Sequence, residues 1–136
     1  MIRKFHEAKE SSAPNVTVWG TGTPRREFLY VDDMADGCLH LLGFENEKYK
    51  KLIESLEPCL LNIGMGKDLS IGELAGLIKE IVGFEGGIVF DTGKPDGTPQ
   101  KLLDISRMDE LGWKAKTSLR EGIKRTYEFY KDQVKV

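Results

Sequence analysis

The stretch Val16-Thr17-Val18-Trp19-Gly20-Thr21-Gly22-Thr23-Pro24-Arg25-Arg26-Glu27-Phe28-Leu29-Tyr30-Val31-Asp32-Asp33-Met34-Ala35 carries most of the fold information in this chain. Val16 to Trp19 has the β-branched and aromatic content of a short strand, and Gly20, Gly22 and Pro24 form a turn. Glu27 to Val31 reads as a second strand. Asp32 or Asp33 then supplies a cap for a helix running through Leu42, whose first N–H groups need an acceptor, and Gly43 ends it.

Upstream, residues 1–12 predict a helix with Ile2, Phe5 and Lys9 on one face, stopped by Pro14. Downstream, 44–58 reads as a loop with a helical piece near 47–56. Cys59 to Ile63 is an apolar run ahead of Gly64, the pattern of a strand buried on both faces of a parallel sheet. Ser70 and Glu73 spell a capping box before a helix to Val82, striped by Leu74, Leu77, Ile78 and Ile81. Ile88 to Phe90 reads as a strand, 91–101 as turn-rich, and 105–111 as a short helix ended by Gly112. A second capping box, Ser118 and Glu121, opens a last helix from Leu119 to about Asp132, with Ile123, Tyr127 and Tyr130 on its buried stripe. Strands and helices alternate, so the class is α/β or mixed α+β.

The chain has 136 residues, 40% hydrophobic and 31% charged, which suits one soluble globular domain spanning 1–136. With 20 basic and 22 acidic side chains its net charge is −2. No basic excess points to nucleic acid or to an acidic membrane surface. No apolar run approaches the ~20 residues that span a membrane, and the first residues do not form a signal peptide, so a cytoplasmic setting is expected. Cys38 and Cys59 sit in apolar sequence and read as buried, reduced thiols. His6 and His40 have no partner at metal-ligand spacing, so no metal site is expected.

Nucleotide fingerprints fail. Gly20-Thr21-Gly22-Thr23-Pro24-Arg25 has arginine where the third glycine of a dinucleotide turn belongs, and a strand follows it rather than a helix. Around Gly64-Met65-Gly66-Lys67-Asp68, Leu61 replaces the first glycine of a P-loop and Asp68 its Ser or Thr. Both read as plain turns. Tyr127 and Lys131 have the Tyr-x-x-x-Lys spacing of a dehydrogenase pair and share a helix face. They lie on the last helix, with Tyr127 on its buried stripe, so packing is the better reading.

The segment 16–35 resembles the Arg-Glu/Asp-Phe-x-x-Val-x-Asp signature of extended short-chain dehydrogenases acting on nucleotide sugars. With Trp19-Gly20-x-Gly22-x-Pro24 ahead of it and Lys94-Pro95-Asp96-Gly97-Thr98-Pro99-Gln100-Lys101-Leu102-Leu103-Asp104 later, the chain is similar to the GDP-L-fucose synthases. The opening Arg3-Lys4-Phe5-His6-Glu7-Ala8-Lys9 and Leu61-Asn62-Ile63-Gly64 fit as well. The resemblance implies the C-terminal, substrate-binding part of that fold, lacking most of the Rossmann domain. It implies a reaction that epimerises GDP-4-keto-6-deoxy-D-mannose and reduces it with NADPH to GDP-L-fucose. The family's NADP turn, its Ser and Tyr-x-x-x-Lys set and its Cys and His acid/base pair all match positions before Met1. No catalytic residue and no cofactor are therefore expected in this chain, NADP(H) belonging to the full-length family. His6 is not the family's catalytic histidine.

What the resemblance carries over is substrate binding, at Lys4, Trp19, Arg26, Asp96 and Lys101. Two phosphates of a GDP-sugar need cations: Arg26 offers bidentate contacts and Lys4 a point charge. Trp19 offers a flat apolar face with one N–H, and Asp96 an acceptor. The expected partners are a GDP-sugar and the missing N-terminal NADP-binding half. The alternatives are a stand-alone nucleotide-sugar-binding module or an assembly piece without catalysis; an in-frame upstream region with a Gly-rich turn and Tyr-x-x-x-Lys would favour the enzyme fragment. In the family, the strand matching Leu60 to Ile63 lies in the large NADP-domain sheet. Alone, it implies either self-association or a distorted, mobile 59–66. The pure chain is expected to consume no NADPH when given GDP-4-keto-6-deoxymannose; steady loss of NADPH absorbance would contradict this.

Overall fold

The structure is a computed structural model, and it describes residues 1–55, 57–58 and 60–134. Helix α1 spans Ile2–Glu10 and turns Phe5 and Ala8 inward. Strand β1, Asn15–Trp19, alternates exposed and buried, so Val16 and Val18 join the core while Trp19 faces out. Strand β4, Gly87–Asp91, pairs parallel with β1, placing Trp19 opposite Asp91. Between them in sequence lie β2, Arg25–Glu27, α2, Val31–Leu42, α3, Asn46–Ser55, β3, Asp68–Ser70, and α4, Ile71–Val82. Strand β5 is Gln100–Lys101, α5 is Ser106–Glu110 and α6 is Leu119–Val134. A second sheet has the order β3-β2-β5, with β3 antiparallel and β5 parallel to β2.

The main core is the junction of α1, α4, α6 and β1: Phe5, Val16, Val18, Leu74, Ala75, Ile78, Val82, Phe84, Ile123 and Tyr127. The stripe read on α4 packs into or against it, and both halves of the Ser70 and Glu73 capping box form. Gly83 closes α4 in the left-handed conformation at φ 71°. At α6, the Glu121 N–H donates to Ser118 Oγ, but the Glu121 carboxylate turns to Arg125 instead of completing the box. Tyr127 is buried, its hydroxyl 3.0 Å from His6 Nδ1, which ties α6 to α1. Among the described residues no helix is long and apolar enough to cross a membrane.

Four expectations need correction. The second strand is Arg25–Glu27, not Glu27–Val31, because the chain leaves the sheet at Phe28 and Val31 already begins α2. Neither Asp32 nor Asp33 caps α2; its N-cap is Tyr30, with no side-chain bond. Asp33, 6% exposed, instead accepts the N–H groups of Lys116 and Thr117 and the Thr117 hydroxyl. Leu60 to Ile63 forms no strand; no described strand borders it, and its polar groups take other partners. Leu60 N–H donates to Pro58 O, and Asn62 Nδ2 donates to Asp104 O. Cys38 is exposed, because its neighbour Gly37 is the α2 residue that meets Ile63 and Trp113. Cys59 lies outside the described residues.

The chain is clipped together around Glu27. Its Oε1 accepts the N–H groups of Met65 and Gly66, and its Oε2 accepts Leu103 N–H at 2.9 Å. One side chain thus joins β2 to the turn before β3 and to the segment after β5. Gly64 must lack a side chain, since a Cβ there would collide with the Glu27 carboxylate. Replacing Glu27 with alanine strips three backbone donors of a charged acceptor. Chemical denaturation is expected to register a loss of about 2–4 kcal/mol, whereas an unchanged midpoint would remove Glu27 from this role.

Candidate functional site

The two faces of β2 have opposite electrostatic fates. On one, Arg25 donates to Asp68 at 2.9 Å and lies 3.5 Å from Glu73. Gln100 also donates to Asp68. The Gln100 hydrogen bond, with that of Arg25, holds the Asp68 carboxyl below the usual carboxylate range. This face is neutralised. Arg26 is the next residue, so it points to the other face, and its parallel partner in register is Lys101. Arg26 Nη1 donates to Arg25 O at 2.6 Å, which fixes the guanidinium without cancelling its charge. Among the described residues, neither Arg26 nor Lys101 pairs with a carboxylate.

Trp19 forms a second centre. The alternation of β1 puts it outward, 66% exposed. Lys4, beside the buried Phe5 on α1, carries its Nζ to 5.5 Å from the indole centroid and 3.4 Å from Thr17 O. Lys94 reaches the same ring at 5.7 Å. Such contacts are modest at an exposed ring. Neither lysine meets a carboxylate among the described residues.

The strap 94–98 joins the two centres. Asp96 accepts Thr21 N–H at 2.9 Å on Oδ1 and the Thr21 hydroxyl at 2.6 Å on Oδ2. Gly20 permits this approach: its φ is +81°, and a Cβ would run into the Asp96 carboxylate. One residue on, Gly97 passes so close to Arg26 that a Cβ would lie 3.1 Å from Nη2. The fold therefore groups the five residues singled out from the sequence as Lys4 with Trp19, Arg26 with Lys101, and Asp96 in the strap between. Lys94 and Thr21 were missed as participants, although both lie inside the two quoted signature segments. An apolar cavity of about 460 Å³ is lined by other residues, among them Ile2, Phe28, Tyr30, Leu119 and Ile123. None of Lys4, Trp19, Arg26, Asp96 and Lys101 lines it.

A model of the NAD dependent epimerase/dehydratase family matches residues 1–54. The chain is 49% identical over 134 residues to a probable GDP-L-fucose synthase 1 of Oryza sativa subsp. japonica, covering 98% of this chain and 38% of that protein. It is 47% identical over 132 residues to the GDP-L-fucose synthase of Escherichia coli K12, covering 96% of this chain and 40% of the relative. Among solved structures, it is similar to a GDP-mannoheptose C4 reductase from Campylobacter jejuni with NADP bound. That match has a TM-score of 0.81 at 42% identity and covers 96% of this chain and 43% of the other. The chain thus spans about two-fifths of the length of these relatives.

The Thr21 hydroxyl and N–H hold the Asp96 carboxyl below its usual range. The sign follows: a depressed folded value means the clip is complete above the ordinary aspartate range, about pH 4, and is released as pH falls through the lower folded value. The Thr21 amide proton resonance is expected to titrate with that depressed midpoint and to lose the transition in Asp96→Asn. A Thr21 amide insensitive to acid would contradict the clip.

Proposed function

We propose that this chain, which belongs to the NAD dependent epimerase/dehydratase family as a homologue of the C-terminal part of GDP-L-fucose synthases, is the GDP-sugar-binding portion of such an enzyme. The complete protein then epimerises GDP-4-keto-6-deoxy-D-mannose and reduces it with NADPH, and the isolated chain is inactive. The observation that carries this reading is the cluster of cations left without carboxylate partners along an exposed indole and one face of β2. Unpaired cations grouped on a surface attract an anion, and a diphosphate is the densest anion in a GDP-sugar.

The roles follow from the geometry. Arg26, oriented through Arg25 O, presents its remaining N–H fork to a phosphate in bidentate fashion. Lys101, beside it, and Lys4 add point charges. Trp19 stacks on a ring of the ligand and offers its indole N–H. Asp96 spends part of its acceptor capacity on Thr21; a carboxylate has about four acceptor sites, so it retains room for a ligand hydroxyl. NADP(H) belongs to the rest of the enzyme, and the setting is cytoplasmic.

A second surface supports incorporation into a larger enzyme. Along α2, Val31, Met34, Leu39 and Leu42 are exposed. A contiguous apolar stripe of this kind marks an interaction surface. We assign it to the NADP-binding portion, with self-association of the isolated chain as the consequence when that portion is absent.

Titration calorimetry with GDP tests the binding reading. Removing the Arg26 guanidinium in Arg26→Ala is expected to cost about 1.5–3 kcal/mol, roughly a ten- to hundredfold loss of affinity. Equal GDP affinity in the two proteins would overturn it.

A further inference from the structure

We propose that Lys94 is a further ligand-binding residue of this face, gripping with Lys4 a phosphate of the nucleoside diphosphate at the edge of Trp19; the proposal rests on the GDP-sugar reading above. Lys94 follows β4 in a tight turn. Its N–H donates to Asp91 O at 3.2 Å, and Gly93 N–H donates to Asp91 Oδ1 at 3.1 Å. Asp91 is the strand partner of Trp19, so the turn starts beside the indole and delivers the Lys94 ammonium back over it. Of the two acids nearest in sequence, Asp91 accepts Gly93 N–H on Oδ1 and Asp96 accepts the Thr21 N–H and hydroxyl.

Lys4 arrives at the same ring from α1, an element that packs independently of the turn. Two ammonium groups at 5.5 and 5.7 Å from one centroid repel each other and have only an exposed ring between them. Three other lysines make ion pairs, Lys114 with Asp109, Lys116 with Asp36 and Lys131 with Glu128; the exposed Lys50, Lys51, Lys67 and Lys124 make none among the described residues, so what sets Lys4 and Lys94 apart is that they share one ring. Here the fold places two cations over one ring, and neither makes an ion pair among the described residues. A bound phosphate group relieves that repulsion by accepting hydrogen bonds from the two ammonium groups. The strap therefore does two things at once: Asp96 pins it to Thr21, and Lys94 reaches the ligand from its start.

The test uses the full chain with GDP and guanosine as probes, read by titration calorimetry and by fluorescence of the exposed Trp19, with Trp19→Phe as the control for the buried Trp113. Lys94→Met keeps the apolar stem and removes the charge; it is expected to weaken GDP about tenfold and to leave guanosine binding unchanged. Added salt should erode GDP affinity less in this variant than in the wild type. Lys94→Arg should restore most of the affinity. If Arg26→Ala weakens GDP while Lys94→Met binds it as the wild type does, the Lys94 assignment is wrong and the GDP-sugar reading stands. If Lys94→Met weakens GDP and guanosine alike, Lys94 acts on the shape of the site, not on phosphate. If the wild-type chain binds no GDP, both readings fall together.

Discussion

Everything in the smaller sheet hangs on the Glu27 carboxylate. A three-residue strand such as β2 cannot hold two neighbours by ladder bonds alone, and β5 contributes only two residues. Glu27 extends the joint by accepting backbone N–H groups from both sides, Met65 and Gly66 before β3 and Leu103 after β5. Hydrogen bonds to an ionised acceptor are stronger than neutral ones, so a single half-buried side chain replaces ladder that the short strands lack. Residues 64–66 and 101–103 are thereby set relative to Arg26. A plain turn in the sequence becomes a fitted part because a carboxylate reaches it.

Acidic side chains do similar work elsewhere, on loops instead of ligands or metals. Asp33 gathers the N–H groups that lead into α6, and Asp36 takes the Trp113 indole N–H and Lys116 Nζ. Asp96 gathers the Thr21 turn. Arg26, Lys101, Lys4 and Lys94 make no ion pair among the described residues, although the chain as a whole carries −2. Net charge hid a local field that the pairing pattern created.

The exposed stripe on α2 and the unladdered Leu60 to Ile63 have a common physical origin. Helix α2 is anchored through Gly37, Asp33 and Asp36 toward the 113–117 segment, which uses one side of the helix only. The apolar residues of the opposite side, Leu39 and Leu42 among them, have no partner within the described residues. An apolar run ends as a strand only where another strand accepts its backbone bonds, and none of the described strands lies alongside.

The amino-acid sequence by itself determined the elements whose signals are local. The Ser70 and Glu73 box, the closing Gly83, the period of α4 and α6 and the β-branched content of β1 all depend on neighbours within a few residues, and each element formed where the pattern put it. It also carried the family resemblance and the five candidate residues, since those are strings of residue types. Tertiary structure decided what the polar side chains do. Asp33 looked like a cap for its own helix and instead holds a loop far along the chain, because three donors converge on it there. Arg25 and Arg26 are adjacent and alike in sequence, yet the pleat of β2 sends one to Asp68 and leaves the other without a carboxylate partner among the described residues, and only the sheet partners make that distinction. Leu60 to Ile63 has a strand's composition without a strand's neighbour. Hydrogen-bond partners and charge pairs are set by distances between remote segments, and no local pattern encodes those distances.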